Sequence, residues 1–309
     1  MNNNDNIPNG WLAFELGVLR RLKFKSISLA FTGEPELGVY LKRWDVRVAA
    51  NDLATWAATK ALACIENNTE QLTEEDVAVV LEDAYVPRHK LANPALRKWF
   101  NETDAWWFDN LRQNIEKLES PVLRSLALTC GMMVGDYTLS FDEETREFRQ
   151  PLSQVFRRVW QTQAAPVNNS QPNTTDNREA RDFIAEQHTN LLYLRLPRPR
   201  SLREQRRNTV YAWREEWLRG GDGFWDELEK ARAGRLGTSV VTKQQYLRFV
   251  EDLLQVALHL PAWAIAHTED GFIPTSDLVE TINRVRKVET VYSKDFSELT
   301  GLRATIITA

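Results

Sequence analysis

Three short apolar runs, each closed by a turn, decide what this chain can fold into. Ser26–Phe31, Val46–Ala50 and Leu191–Leu194 are short, largely apolar and bounded, too short for helices. Such runs fit strands buried on both faces, which is the signature of a parallel sheet. The first is followed by the turn Thr32-Gly33-Glu34-Pro35 and a predicted helix over Glu36–Arg43 with Leu37 and Leu41 on one face. The second ends in Asn51-Asp52 and leads into a long predicted helix, Leu53–Asn67. Strand, helix, strand, helix predicts parallel strands joined by crossover helices. The same alternation returns late in the chain. Helices are predicted from about Asn208 to Leu218, from Thr242 to Leu258 and after Pro274. Strands are predicted at Ala262–Ala266, near Lys287–Tyr292 and at Arg303–Thr308.

Between these stretches the pattern changes. Thr73-Glu74-Glu75-Asp76 reads as a capped helix start with acids in the first turn. Asp104–Leu118 is amphipathic, with Trp107, Phe108, Leu111, Ile115 and Leu118 on one stripe. Pro121 fits the first turn of a helix running to about Met133. A hairpin is predicted next, with Tyr137–Phe141 as one arm and Glu147–Arg149 as the other. Residues 165–177, rich in Asn, Pro, Thr and Ser, lack apolar area to bury and read as a loop or linker. The expected organisation is therefore an α/β, Rossmann-like unit over 1–68 and 178–309, helices on both faces of its sheet. A mainly helical insert with a hairpin fills 69–164.

Composition narrows the classes. The 309 residues carry 43% hydrophobic and 27% charged side chains, an ordinary globular balance. A net charge of −4 provides no overall pull toward nucleic acid, so any basic site must be local. Cys64 and Cys130 have no metal-ligand spacing and cannot build a disulfide framework, which points to a reducing, cytoplasmic setting. No run reaches the ~18 apolar residues of a membrane span, and the polar start lacks a secretory pattern. Tryptophans at helical spacing, such as Trp213 and Trp217, read as core. There is no Cys/His cluster, phosphate loop or nucleophile elbow.

Taken in order, the pieces resemble the Dam-like adenine-N6 DNA methyltransferases. Phe31-Thr32-Gly33-Glu34-Pro35 is similar to that family's F-x-G-x-G loop, with Pro35 in place of the second glycine. Ala50-Asn51-Asp52-Leu53 resembles its N-D-I/L step, and the following helix, with Lys60-Ala61-Leu62 and Ile65-Glu66-Asn67, also reads alike. The hairpin Asp136–Arg149 with Gln150-Pro151-Leu152 is similar to the family's hairpin, which leads into a loop near DNA. Thr268–Pro274 resembles the S-x-x-D-G-x-I-P turn, and Ala304–Thr308 the terminal E-x-L-I-x-N strand. The likeness spans about residues 25–309. It implies a Rossmann-type methyltransferase sheet with an inserted, helical, target-recognition-like domain. It also implies an S-adenosylmethionine site at Phe31, Gly33, Glu34 and Asp52, where the acid would accept bonds from the ribose hydroxyls.

The likeness breaks at the chemistry. The family's L-Y-L-D-P-P-Y places a carboxylate at the strand tip to accept a hydrogen bond from the adenine amine, and an aromatic to stack on the flipped base. Leu192-Tyr193-Leu194 matches the strand, but the four tip positions are Arg195, Leu196, Pro197 and Arg198. Arginine has only donors and stays protonated. It would face an amine that needs acceptors and a positively charged sulfonium. Losing transition-state hydrogen bonds of this kind costs ~3–4 kcal/mol, and replacing an acceptor by a cation costs more. The N-terminal K-W-x-G-G-K segment is not recognisable in Trp11–Lys25, and the loop Ser293–Glu298 is not basic.

Eight arginines crowd the stretch from Arg195 to Arg219, among them Arg198, Arg200, Arg203, Arg206, Arg207 and Arg214. They read as a phosphate-binding patch at the mouth of the base pocket, or as a solvated, salt-bridged loop and helix. Asp52 reads as a ribose acceptor or a helix cap, and Gly33-Glu34 as a cofactor loop or a tight turn. His188 and His267 flank strands near one face, as an acid–base or metal pair or as ordinary satisfied histidines. The expectation is a catalytically degenerate methyltransferase-like protein that binds DNA or a protein partner, with S-adenosylmethionine bound weakly or not at all, no membrane contact and no metal. Two alternatives stay open: an active, divergent DNA adenine methyltransferase, and a protein-binding subunit that makes no DNA contact.

Overall fold

The computed structural model describes residues 10–199, 204, 209–269, 271–296 and 302–309. Seven described strands form one mixed sheet: β1 (Ser26–Leu29), β2 (Arg47–Asn51), β3 (Thr174–Asp176), β4 (Leu191–Arg195), β5 (Ala262–Glu269), β6 (Thr290–Phe296) and β7 (Leu302–Thr308). Their order is β3-β2-β1-β4-β5-β7-β6. The first five run parallel, and β7 lies antiparallel to both β5 and β6. The 3-2-1-4-5 order is that of the doubly wound, Rossmann-like sheets, which reverse direction of travel between β1 and β4 and hold ligands outside the strand carboxyl ends at that point.

Alternation along each strand sends side chains to two apolar layers. Ile27, Leu29, Val48, Ala50, Leu191 and Tyr193 face one cluster, together with α1 (Trp11–Leu19), α2 (Glu36–Lys42) and α3 (Thr55–Ala61). Ala49, Leu192, Leu194, Trp263 and Ile265 face the other, with α8 (Ala180–Ala185), α11 (Lys243–Val256) and α12 (Thr275–Val285). The expected strand–helix–strand opening is present. Its long second helix is interrupted: α3 gives way to a π-helical turn, Leu62–Glu66. Lys42, fully buried, donates to Asn67 O at 2.6 Å and so satisfies a carbonyl at the end of that turn.

Residues 74–161 supply α4 (Glu74–Val80), α5 (Glu102–Ile115), α6 (Pro121–Leu139) and α7 (Leu152–Gln161), with short 3-10 turns. Their core also takes in Trp56 and Cys64 from the sheet side and Trp213 and Trp217 from α9 (Thr209–Leu218). Trp213 and Trp217 are both buried, as their spacing predicts. They seat on Gly131 and Gly135 of α6, where an added Cβ would fall 2.4 Å and 2.1 Å from the indole rings. That glycine pair lets α9 approach closely and swings its polar face toward the strand ends. A further helix, α10 (Trp225–Arg232), covers α9 through Trp225.

Two expectations are corrected. The predicted hairpin does not form. Tyr137–Leu139 continue α6, where Thr138 Oγ1 donates back to Val134 O at 2.8 Å, and Arg146–Phe148 form a 3-10 turn. The β-favouring residue types were outweighed by the apolar face of α6, whose Val134 and Met132 are in the core. The predicted loop 165–177 is not wholly irregular either. Thr174–Asp176 pair with Ala49–Asn51 as the edge strand, and Asn173 Oδ1 accepts Val48 N–H at 2.9 Å just before it. Polar asparagines here hold the sheet edge instead of avoiding structure.

Candidate functional site

In a sheet of this order the crevice that takes a ligand belongs at the carboxyl ends of the strands, and the residues at the ends of β1, β2 and β4 make up the candidate site. The loop after β1 turns at Gly33, which has φ +57°, a left-handed conformation that favours glycine. An added Cβ there would meet nothing within 4 Å, so the backbone angle, not a close internal approach, requires the residue. Asn51, at the end of β2, ties the neighbouring loops together. Its Nδ2 donates to Ala30 O at 3.1 Å and Arg178 O at 3.0 Å.

Asp52 follows. Oδ2 accepts Gly33 N–H at 2.8 Å and Oδ1 accepts Ala54 N–H at 2.9 Å. The carboxylate thus clamps the β1 loop to the turn that starts α3. Ala54 is the residue that caps α3, so Asp52 acts two positions earlier than the helix-cap alternative supposed. Burial raises the Asp52 pKa, opposed by the Ala54 and Gly33 N–H groups and by Arg232. Glu34 is engaged too. It accepts Lys60 Nζ at 2.7 Å and Arg214 Nη1 at 3.3 Å. Arg214 also pairs with Asp136, and its guanidinium lies 5.0 Å from the centre of the Trp56 ring. Glu215 beside it accepts Trp56 N–H at 2.9 Å. Burial raises the Glu215 pKa against the pull of that N–H and of Arg219.

At the tip of β4, Arg195 turns inward. Nε and Nη2 donate to the two carboxylate oxygens of Glu15 at 2.6 Å and 2.7 Å, and Nη1 donates to Thr32 O at 3.3 Å. Tyr193, on the same face of the strand, donates its hydroxyl to Glu15 Oε1 at 2.7 Å. The Glu15 side chain is 0% exposed and that of Arg195 is 21% exposed. Burial alone would lower the Arg195 pKa, and the Glu15 carboxylate more than offsets it, holding the guanidinium above its usual range. Burial and Glu15 together push the Tyr193 phenol well above its own. The fork therefore locks α1, β4 and the β1 loop into one charge-assisted unit.

The other tip residues are also built in. Leu196 N–H donates to Ala266 O at 3.0 Å, which prolongs the β4–β5 ladder by one bond. Pro197 O accepts Tyr246 Oη at 3.0 Å. Gly237 packs on the Pro197 ring, and its carbonyl accepts Arg232 Nη2 at 2.6 Å. Phe31 and Leu196 are half-buried against Leu236 and Val240 in the same layer. Arg198 is half-buried, and Arg200, Arg203, Arg206 and Arg207 lie outside the described residues. Of the arginine-rich stretch, Arg195, Arg214 and Arg219 are consumed by Glu15, by Asp136 and Glu34, and by Glu215.

The histidine pair is corrected. His188 precedes β4 and lies at the amino end of the sheet, ring to ring with His259 at 6.0 Å. His267 sits beyond Ala266, which is paired with Arg195 at the opposite end, and Nε2 lies 2.9 Å from Ile273 O. Strand geometry separates them by five or so residues at ~3.3 Å each. Among the described residues no group of three or more His, Cys, Asp or Glu side chains could hold a metal ion, and no helix is long and apolar enough to cross a membrane.

The partner that sequence reasoning missed is Glu15. The signal was there: W-L-A-F-E-L-G-V-L places one carboxylate in an apolar helix, and a buried charge demands a counter-ion. What could not be seen was that the odd arginine 180 positions later supplies it. No protein-family model matches the chain, and no curated protein does.

Proposed function

We propose that this chain is a catalytically silent relative of the adenine-N6 DNA methyltransferases, a Rossmann-like scaffold that serves as a binding subunit. One observation carries the reading: the side chain at the β4 tip is a guanidinium spent on Glu15, not a carboxylate aimed at a substrate amine. An adenine amine needs lone-pair acceptors at this place. The position supplies N–H groups, and three of them go to a buried carboxylate and a main-chain carbonyl.

The cofactor side supports the same conclusion. Space remains beside Gly33, yet the groups that would grip S-adenosylmethionine are engaged. Both Asp52 oxygens hold backbone N–H groups. Glu34 is held between Lys60 and Arg214. The helical, target-recognition-like role of residues 69–164 belongs to this proposal too, resting on the resemblance and on the all-helical make-up of that stretch.

Isothermal titration with S-adenosylmethionine tests the reading. The expected result is no heat of binding at millimolar cofactor. Micromolar affinity, weakened by Asp52→Ala, would show a working cofactor site and overturn it.

A further inference from the structure

The end of the sheet opposite the crevice carries unspent positive charge. Arg20, Arg21, Lys23 and Lys25 lie in the connection from α1 to β1, Arg43 in the connection from α2 to β2, and Arg47 opens β2. Asp45 is the one carboxylate in those two stretches, so the balance is six cations to one anion. The two connections are neighbours because β1 and β2 pair in parallel, with Ser26 opposite Arg47 and the Arg47 N–H donating to Lys25 O at 2.9 Å. All the cations except Arg47 are exposed. Arg47 turns into a groove that also holds the carboxylates Glu66, Asp176 and Glu186, so the outward charge of the edge comes from the other five cations. Among the described residues none of the six takes part in a salt bridge. The contrast with Arg195, Arg214 and Arg219 is direct, since each of those is paired inside the protein.

Three of these guanidinium groups are pre-positioned on aromatic faces. Arg20 lies 5.0 Å from the centre of the Trp44 ring, Arg21 5.6 Å from that of Tyr292 and Arg43 5.0 Å from that of Tyr40. Stacking fixes a guanidinium without using its N–H donors, which stay available to anionic oxygens. Because the rings are already covered by arginine, the surface offers charge, not stacking platforms. The chain as a whole is net negative, so attraction to a polyanion must be confined to this edge and would orient the molecule on it.

We infer that this edge binds the phosphate backbone of duplex nucleic acid, without reading sequence. A duplex presents one charge per ~1.7 Å of axis, the density that several fixed cations in two adjacent loops can neutralise at once. The assignment concerns the opposite end of the molecule from the crevice, so it stands or falls separately from the loss of methyl transfer.

Fluorescence anisotropy of the full chain with a short labelled duplex tests it, over ~50–200 mM salt. The variant carries Lys23→Glu, Lys25→Glu and Arg43→Glu, and circular dichroism confirms that it folds. The wild type is expected to bind with a log–log salt slope that becomes shallower in the variant by about 2–3, at ~0.9 per lost phosphate contact. Should charge reversal impair folding, Lys23→Gln, Lys25→Gln and Arg43→Gln provide the same comparison. No duplex binding by wild type, or equal affinity and slope in wild type and variant, overturns the inference. Binding to phosphatidylserine vesicles but not to the duplex also overturns it, since the edge would then be a membrane surface.

Discussion

Replacing Arg195 by methionine removes the cation that pairs with Glu15, and the size of the effect follows from how unequally the two partners are buried. The Glu15 side chain is 0% exposed, whereas Arg195 keeps 21% of its side chain in contact with solvent. Removing one partner of a buried ion pair typically costs ~3–5 kcal/mol because the other is left uncompensated. Arg195→Met strands the fully buried partner with, among the described residues, the Tyr193 hydroxyl as its remaining side-chain donor, so a loss of about 3–4 kcal/mol is expected. Glu15→Leu strands the partner that can still reach water and also leaves Tyr193 without its acceptor, for a smaller loss of about 2–3 kcal/mol. The double variant, with apolar side chains filling both places, should lose far less than the sum, giving a coupling of at least ~2 kcal/mol. Urea unfolding followed by the fluorescence of the eleven tryptophans measures all four proteins. If Arg195→Met costs under ~1 kcal/mol, or if the two losses simply add, the fork does not hold α1 to the strand tip and its description as a lock is wrong.

Three further outcomes are expected. Gly135→Ala would push a methyl to 2.1 Å from the Trp213 ring, so it should destabilise by about 1–3 kcal/mol in a thermal melt, while Gly17→Ala, with open space around it, should not. Burial lowers the Lys42 pKa to about 8, with Cys64 pulling the other way. The unfolded chain then holds a proton that the folded chain has released between pH 8 and 10.5, so stability from this group rises with pH across that window. Denaturation of wild type and Lys42→Met from pH 7 to 10 should show the difference moving in favour of wild type; a constant difference would place the titration elsewhere. Thr73→Ala removes the hydroxyl that accepts Asp76 N–H in a capping box, leaves the main-chain N–H of residue 73 on the Asp76 carboxylate, and should cost ~1 kcal/mol in thermal unfolding.

Much of the sheet was legible because buried parallel strands leave an unmistakable trace: Ser26–Leu29, Arg47–Asn51 and Leu191–Arg195 all fall on short apolar runs. The edge strand β3 was not, since its Thr-Thr-Asp is polar and its pairing is prepared by asparagines that look like loop residues. The failed hairpin has the opposite cause. Tyr137 and Phe141, expected in one extended arm, instead lie 4.9 Å apart between ring centres at the end of a helix. At the site, Gly33, Asp52 and Arg195 were found as a set because turn chemistry and strand ends mark them. Their partners were not: Glu15, Arg214, Arg232 and Tyr246 reach the crevice from distant parts of the chain, and local pattern holds no record of such contacts.

Transfer of labelled methyl groups from S-adenosylmethionine to adenine in duplex DNA is the most direct test of whether the β4 tip has lost its chemistry. With the Arg195 guanidinium committed to Glu15, incorporation should not rise above the level without protein, and Arg195→Asp alone should not restore it while Asp52 and Glu34 remain tied to their internal partners. Sustained turnover by the wild-type chain, abolished by Asp52→Ala, would contradict the loss of catalysis outright.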